Sequence, residues 1–158
     1  MKNLLLSTII AASLFACKSE TKPAFDLVNA KKEIEAANKK IAEFIAKGDS
    51  VGVADAYGKD GTLMVNNMPS IGGPSIGGKD KLTSFWGGFI KLGIGSLTLN
   101  TLEVWGDENF ITEEGLFEVT LKDGKQADKG KYIVIWKKED GNWKLHRDMS
   151  NTDLPAAK

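Results

Sequence analysis

Residues 129–151 read KGKYIVIWKKEDGNWKLHRDMSN, and this stretch decides the fold. Its first half alternates, with Tyr132, Val134 and Trp136 on one side of an extended chain and Ile133 and Ile135 on the other. Asp140-Gly141 in the middle is hairpin chemistry, because both residue types tolerate the positive φ that a tight turn needs. The two halves are therefore expected to be antiparallel strands over 129–138 and 142–151. Upstream, Gly106-Asp107 and Asp123-Gly124 punctuate two more runs, 96–105 and 109–121, so four consecutive strands form a meander. The third is apolar on both faces, so both faces should be covered. Helices can cover one of them, which leaves the other as a candidate surface for a second copy of the chain.

Ahead of the meander the period changes to that of a helix. From Asp26 as N-cap, apolar residues recur at Leu27, Ala30, Ile34, Ala37, Ile41, Phe44 and Ile45, and the stripe ends at Gly48. Asp49 can cap a shorter helix running through Tyr57, after which Gly58-Lys59-Asp60-Gly61 reads as a turn and 62–65 as a brief strand. Residues 66–78 (NNMPSIGGPSIGG) hold four Gly and two Pro and read as a loop. A third helix follows over 79–92, and Gly87-Gly88 inside it costs about 1 kcal/mol per Gly relative to Ala, which suggests close packing or a kink.

Composition narrows the function classes. The chain has 158 residues, 42% apolar, with 21 basic and 21 acidic side chains, one Cys and one His. Length argues for one domain able to bury a core of its own. Balanced charge supplies no footprint for nucleic acid. One Cys and one His furnish neither a disulfide nor a His/Cys zinc site. The amino terminus is an address: Met1-Lys2-Asn3, then the 12 residues LLLSTIIAASLF, too short for a bilayer span of about 20. The ending Leu14-Phe15-Ala16-Cys17 resembles the lipobox of bacterial lipoproteins. That resemblance implies removal of 1–16, acyl chains (diacylglycerol, palmitate) on Cys17, and a domain held to the cell envelope facing the periplasm or cell surface. Residues 17–25 then form the lipidated Cys and a polar tether, 26–153 the domain, and 154–158 a tail.

The order of elements carries a second resemblance. A long amphipathic helix, Gly48-Asp49, a short helix ending in Ala56-Tyr57, a strand, a Gly-rich loop into Gly78-Lys79-Asp80-Lys81-Leu82, and four long strands closing with Asp140-Gly141-Asn142-Trp143-Lys144-Leu145 resemble the nuclear transport factor 2-like superfamily. The likeness is to its SnoaL-like and ketosteroid isomerase-like branch, over about residues 28–152. It implies an α+β cone in which a strongly curved antiparallel sheet wraps around three N-terminal helices and leaves a pocket. It also implies a homodimer paired through the outer sheet face.

The branch's known chemistry does not carry over. On the isomerase pattern the general base falls at Val65, the oxyanion tyrosine at Ile41, and the second acid in 132–136, which holds none. Removing a carbon-bound proton needs a base and a donor for the enolate oxygen, and these positions supply neither. A replacement pair is offered by the last strand, where period two puts His146, Asp148 and Ser150 on one face and Trp143, Leu145 and Met149 on the other. SnoaL-like members place titratable residues from this strand in the pocket, so His146 and Asp148 are the candidate acid/base pair. Tyr57, Trp86 and Trp105 are candidate pocket aromatics, with Asn66 and Glu114 as candidate inward polar groups.

Residues 73–80 (GPSIGGKD) approach a phosphate-binding loop, but Asp80 replaces the magnesium-holding hydroxyl and Pro74 removes a backbone donor. The expectation is a membrane-anchored domain that binds a small apolar molecule or a partner, with no metal or organic cofactor. The alternative is a cofactor-independent isomerase, cyclase or hydrolase acting through His146 and Asp148.

Overall fold

The computed structural model describes residues 24–65 and 75–155. The signal, Cys17, Asn66 and the extreme C-terminus lie outside these residues. Helix α1 (Leu27–Lys47) is followed by α2 (Ser50–Asp55), β1 (Tyr57–Val65), β2 (Ile76–Gly77), α3 (Lys79–Lys91), β3 (Ile94–Gly106), β4 (Phe110–Leu121), β5 (Gln126–Glu139) and β6 (Asn142–Thr152). The strands form one sheet in the order β2-β1-β6-β5-β4-β3. The meander β3 to β6 is antiparallel throughout, as its hairpin signals require. The expectation of a wholly antiparallel sheet is corrected at one place, where β1 lies parallel to β6. The chain crosses over through α3 and the meander before β6 returns beside β1, and a connection of that length permits parallel pairing.

Local chemistry sets the boundaries. The Asp26 carboxyl accepts from the Asn29 N–H at 2.9 Å, and Gly48 takes φ 77° to close α1, its N–H reaching the Ile45 carbonyl. Asp49 accepts from the Gly52 N–H at 2.8 Å. Asp140 (φ 49°) and Gly141 (φ 79°) form the two-residue turn between Glu139 and Asn142. Two expectations fail between them. Helix α2 ends at Asp55, so Tyr57 opens β1 instead of closing a helix. Residues 58–61 form no separate turn but an irregularity inside β1, whose register with β6 jumps between Tyr57↔Leu145 and Thr62↔Arg147. A Cβ on Gly61 would lie 2.5 Å from the Leu145 carbonyl oxygen, so the chains approach here as only glycine allows.

The core joins the α1 stripe (Ala30, Ile34, Ile41, Ile45) to the inner sheet face (Ile111, Val119, Val134, Trp136, Leu145) and to Val53 and Leu82. The start of α1 is pinned to the β5–β6 hairpin. Glu33 accepts from Trp143 Nε1 and Lys138 Nζ, each at 2.8 Å, and these bonds hold its carboxyl below the usual range, the Lys138 bond most strongly. The Lys138 ammonium sits 4.6 Å above the Trp143 ring, and Phe25 meets the same ring edge-on at 6.5 Å. The outer sheet face keeps Leu116, Ile133 and Met149 40–50% exposed, with Trp105 and Phe110 also exposed.

Candidate functional site: a cone cavity with a Tyr57–Asp148 pair

Between the inner sheet face and the helices lies a cavity of about 700 Å³. Most of its lining is apolar, with Ile41 from α1, Phe85, Trp86 and Phe89 from α3, and Leu97, Leu99, Phe117 and Val134 from the sheet. The positions where the isomerase pattern would put its base and oxyanion tyrosine, Val65 and Ile41, both line this cavity and are both hydrocarbon.

Its polar side chains include Asn38, Tyr57, Lys81, Asp128, Tyr132 and Asp148. Tyr57 donates its hydroxyl to Asp148 Oδ2 at 2.6 Å, and both side chains line the cavity. Asp148 is open to the cavity but shielded from bulk solvent, and burial pushes its pKa up to about 6; the Tyr57 bond opposes the rise and the nearby Glu113 adds to it. Burial and the adjoining Asp148 push the Tyr57 phenol well above its ordinary value. The indole N–H of Trp86 approaches the Tyr57 hydroxyl closely enough to offset part of that rise, yet Nε1 is buried with no acceptor in hydrogen-bond geometry.

Beside the cavity a second carboxyl is fully buried. Glu113 Oε1 accepts from Asn38 Nδ2 (2.7 Å), Thr101 Oγ1 (2.6 Å) and the Tyr132 hydroxyl (2.7 Å), and Oε2 accepts from Trp136 Nε1 (2.8 Å). Tyr132 reaches it by lying across its β4 partner Gly115, where a Cβ would fall 2.2 Å from the ring. Asn38 and Tyr132 carry this network to the cavity wall.

The structure sorts the sequence-derived site residues. Tyr57, Trp86 and Asp148 line the cavity. Trp105 is corrected: it is 43% exposed and alternates outward beside the inward Val104. Glu114 is likewise exposed, and the inward carboxyl of β4 belongs to Glu113. His146 is separated from Asp148 by a β-bulge. Ile135 pairs with Arg147 and Trp136 with Leu145, so His146 is the extra residue and the alternation changes phase there. Leu145, Asp148 and Ser150 face the cavity. His146 packs near Phe110 (ring centroids 5.8 Å), its Nδ1 is 3.3 Å from the Arg147 guanidinium, and burial followed by that positive charge lowers its pKa. Among the described residues no group of three or more His, Cys, Asp or Glu is placed to hold a metal ion.

Comparison of this architecture with solved structures places it in a known fold. A protein of unknown function from Mycobacterium tuberculosis superposes with a TM-score of 0.73 at 20% identity, over 82% of this chain and 75% of that one. A nuclear transport factor 2-like protein with a cystatin-like fold from Novosphingobium aromaticivorans gives 0.67 at 14% identity, over 82% and 86%. A ketosteroid isomerase-like protein from Erwinia carotovora atroseptica gives 0.62 at 21% identity, over 78% and 96%. The chain has the nuclear transport factor 2-like, cystatin-like fold. No family model and no curated protein sequence matches it.

Proposed function

We propose that this domain binds a small, largely apolar molecule in the cone cavity while lipid on Cys17 holds it to a bacterial envelope membrane, facing the periplasm or the cell surface. The observation that carries the reading is the cavity itself, whose volume of about 700 Å³ falls within the roughly 300–1,000 Å³ of ligand sites and whose mostly hydrocarbon lining carries the Tyr57–Asp148 pair. An uncharged naphthalene hydrocarbon, 2-ethylnaphthalene, is expected to quench tryptophan fluorescence saturably in wild-type protein. Leu99→Trp, which fills the cavity, should abolish that signal; failure of the wild type to saturate sinks the reading.

A specific observation favours a second reading, in which the ligand is also transformed. Asp148 faces the cavity with a pKa of about 6, where a carboxyl can both take and give a proton near neutrality. Asp148 would be the acid/base and Tyr57 its hydrogen-bonding partner, with His146 outside the site. The attachment and the outer sheet face are tested apart from the pocket. Cys17→Ser should move the protein from the membrane to the soluble fraction, and Ile133→Lys should convert a dimer to a monomer in sedimentation. Membrane retention, or an unchanged sedimentation coefficient, removes the corresponding proposal.

A further inference from the structure

Charge is unevenly placed around the cavity. Asp148 lies on its wall, and the one hydrogen bond its carboxyl receives comes from a neutral donor, the Tyr57 phenol, to Oδ2 at 2.6 Å. Oδ1 has no partner among the described residues, yet it is not sealed within the wall, so its lone pairs open on the cavity. Glu113 stands behind the same wall, near enough to push Asp148 toward its neutral form, and its own four donors (Asn38, Thr101, Tyr132 and Trp136) are all uncharged. Asp128 adds a third carboxyl to the lining, accepting from Thr152 Oγ1 at 2.6 Å. Against these three the described lining offers one cation, Lys81 on α3, which is exposed and forms no ion pair with any of them. A carboxylate shielded from water without a cation is costly, and the protein's own relief is to hold the proton.

We infer that the bound molecule is an apolar amine whose ammonium group docks on Asp148 Oδ1 beside the Tyr57 bond, with its hydrocarbon frame against Ile41, Leu99 and Phe117. The inference rests on the cavity being the binding site and adds the charge and position of the ligand's polar end. An ammonium donates and cannot accept, which matches an open carboxylate oxygen, and a charge-assisted bond is about twice as strong as a neutral one. An anionic ligand would meet Asp148 and Glu113 with like charge. Binding of the amine keeps Asp148 ionised, so the proton held by the free acid passes to solvent. Tyr57 on β1 and Tyr132 on β5, which also face Asp148, keep their own protons, since burial pushes both phenols well above their ordinary value.

The test compares three probes of nearly equal shape on the full chain by calorimetry at pH 8: 2-naphthylmethylamine, the hydrocarbon 2-ethylnaphthalene and the neutral alcohol 2-naphthalenemethanol. Asp148→Asn, which keeps an acceptor for Tyr57, is expected to weaken the amine by at least about tenfold and to leave both neutral probes within about threefold. At pH 6, where Asp148 is close to its midpoint, amine binding should release about half a proton in buffers of different ionisation enthalpy, and 2-ethylnaphthalene should release none. An amine that fails to bind where the hydrocarbon binds, equal losses for all three probes, an alcohol as sensitive as the amine, or a loss in Asp128→Asn in place of Asp148→Asn each overturns the inference and leaves the cavity reading standing. Failure of all three probes to bind wild-type protein defeats that reading as well. Thermal unfolding of each variant beside the titrations separates lost binding from lost fold.

Discussion

Asp148→Asn is expected to raise stability at pH 8 by up to about 3 kcal/mol and to leave it nearly unchanged at pH 4. The folded-state pKa of about 6 lies above the ordinary 3.8, so the native protein holds a proton on Asp148 that the unfolded chain has already released between those values. Stability contributed by the neutral acid is complete below pH 4, declines as pH rises to about 6, and is absent above it. At about 1.4 kcal/mol per pH unit, this window accounts for the expected gain. Asparagine keeps an acceptor for the Tyr57 hydroxyl and cannot ionise, so the variant imitates the protonated acid at every pH. Urea unfolding at the two pH values measures the difference, and equal stabilisation at both would show that Asp148 ionises like a surface carboxyl.

Glu113→Ala is expected to lower the melting temperature by roughly 12–20 °C. The substitution leaves the donors of Asn38, Tyr132, Trp136 and Thr101 without their acceptor in a region where the carboxyl has no exposed surface. Each orphaned donor costs about 1–3 kcal/mol, and the total is a large share of the 5–15 kcal/mol that holds a typical domain together. Glu113→Gln should fall between the two, because its carbonyl oxygen can keep the donors at Oε1 while its amide would face the Trp136 N–H. A calorimetric loss below about 1 kcal/mol for the alanine variant would mean that water replaces the carboxyl.

The elements of the fold were legible because their signals are local. The α1 stripe with Asp26 and Gly48 at its ends, and the four strands separated by Gly- and Asp-containing turns, lie within a residue or two of their structural bounds except at the start of β5, where the strand begins at Gln126. The site was legible only in part. Asp148 could be placed on the last strand, but strict alternation assigned it the face of His146 and opposed it to Leu145. A single inserted residue reverses that parity, and it sits opposite the distant segment 58–61, which approaches β6 closely at Leu145 and accepts from Arg147 through the Asp60 carbonyl at 2.8 Å. Glu113 needed no such long-range knowledge, since Ile111, Phe117 and Val119 share its parity and Glu114 does not. The Tyr57–Asp148 contact joins residues 91 apart in the chain and carries no local signature.

The clamp of Glu33, Lys138, Trp143 and Phe25 has a consequence for orientation. It fixes where the polypeptide leaves the domain, at the first turn of α1, whereas the cavity touches that helix only at Asn38 and Ile41. At about 1.5 Å per residue, the exit point and the cavity stand roughly 20 Å apart along the helix axis. An acyl anchor upstream of Phe25 would therefore hold the domain by the end remote from its binding chamber, as a lamp is held by its base. With such an anchor the chamber would lie toward the aqueous compartment, and its ligand would be captured from solution and not drawn laterally out of the bilayer.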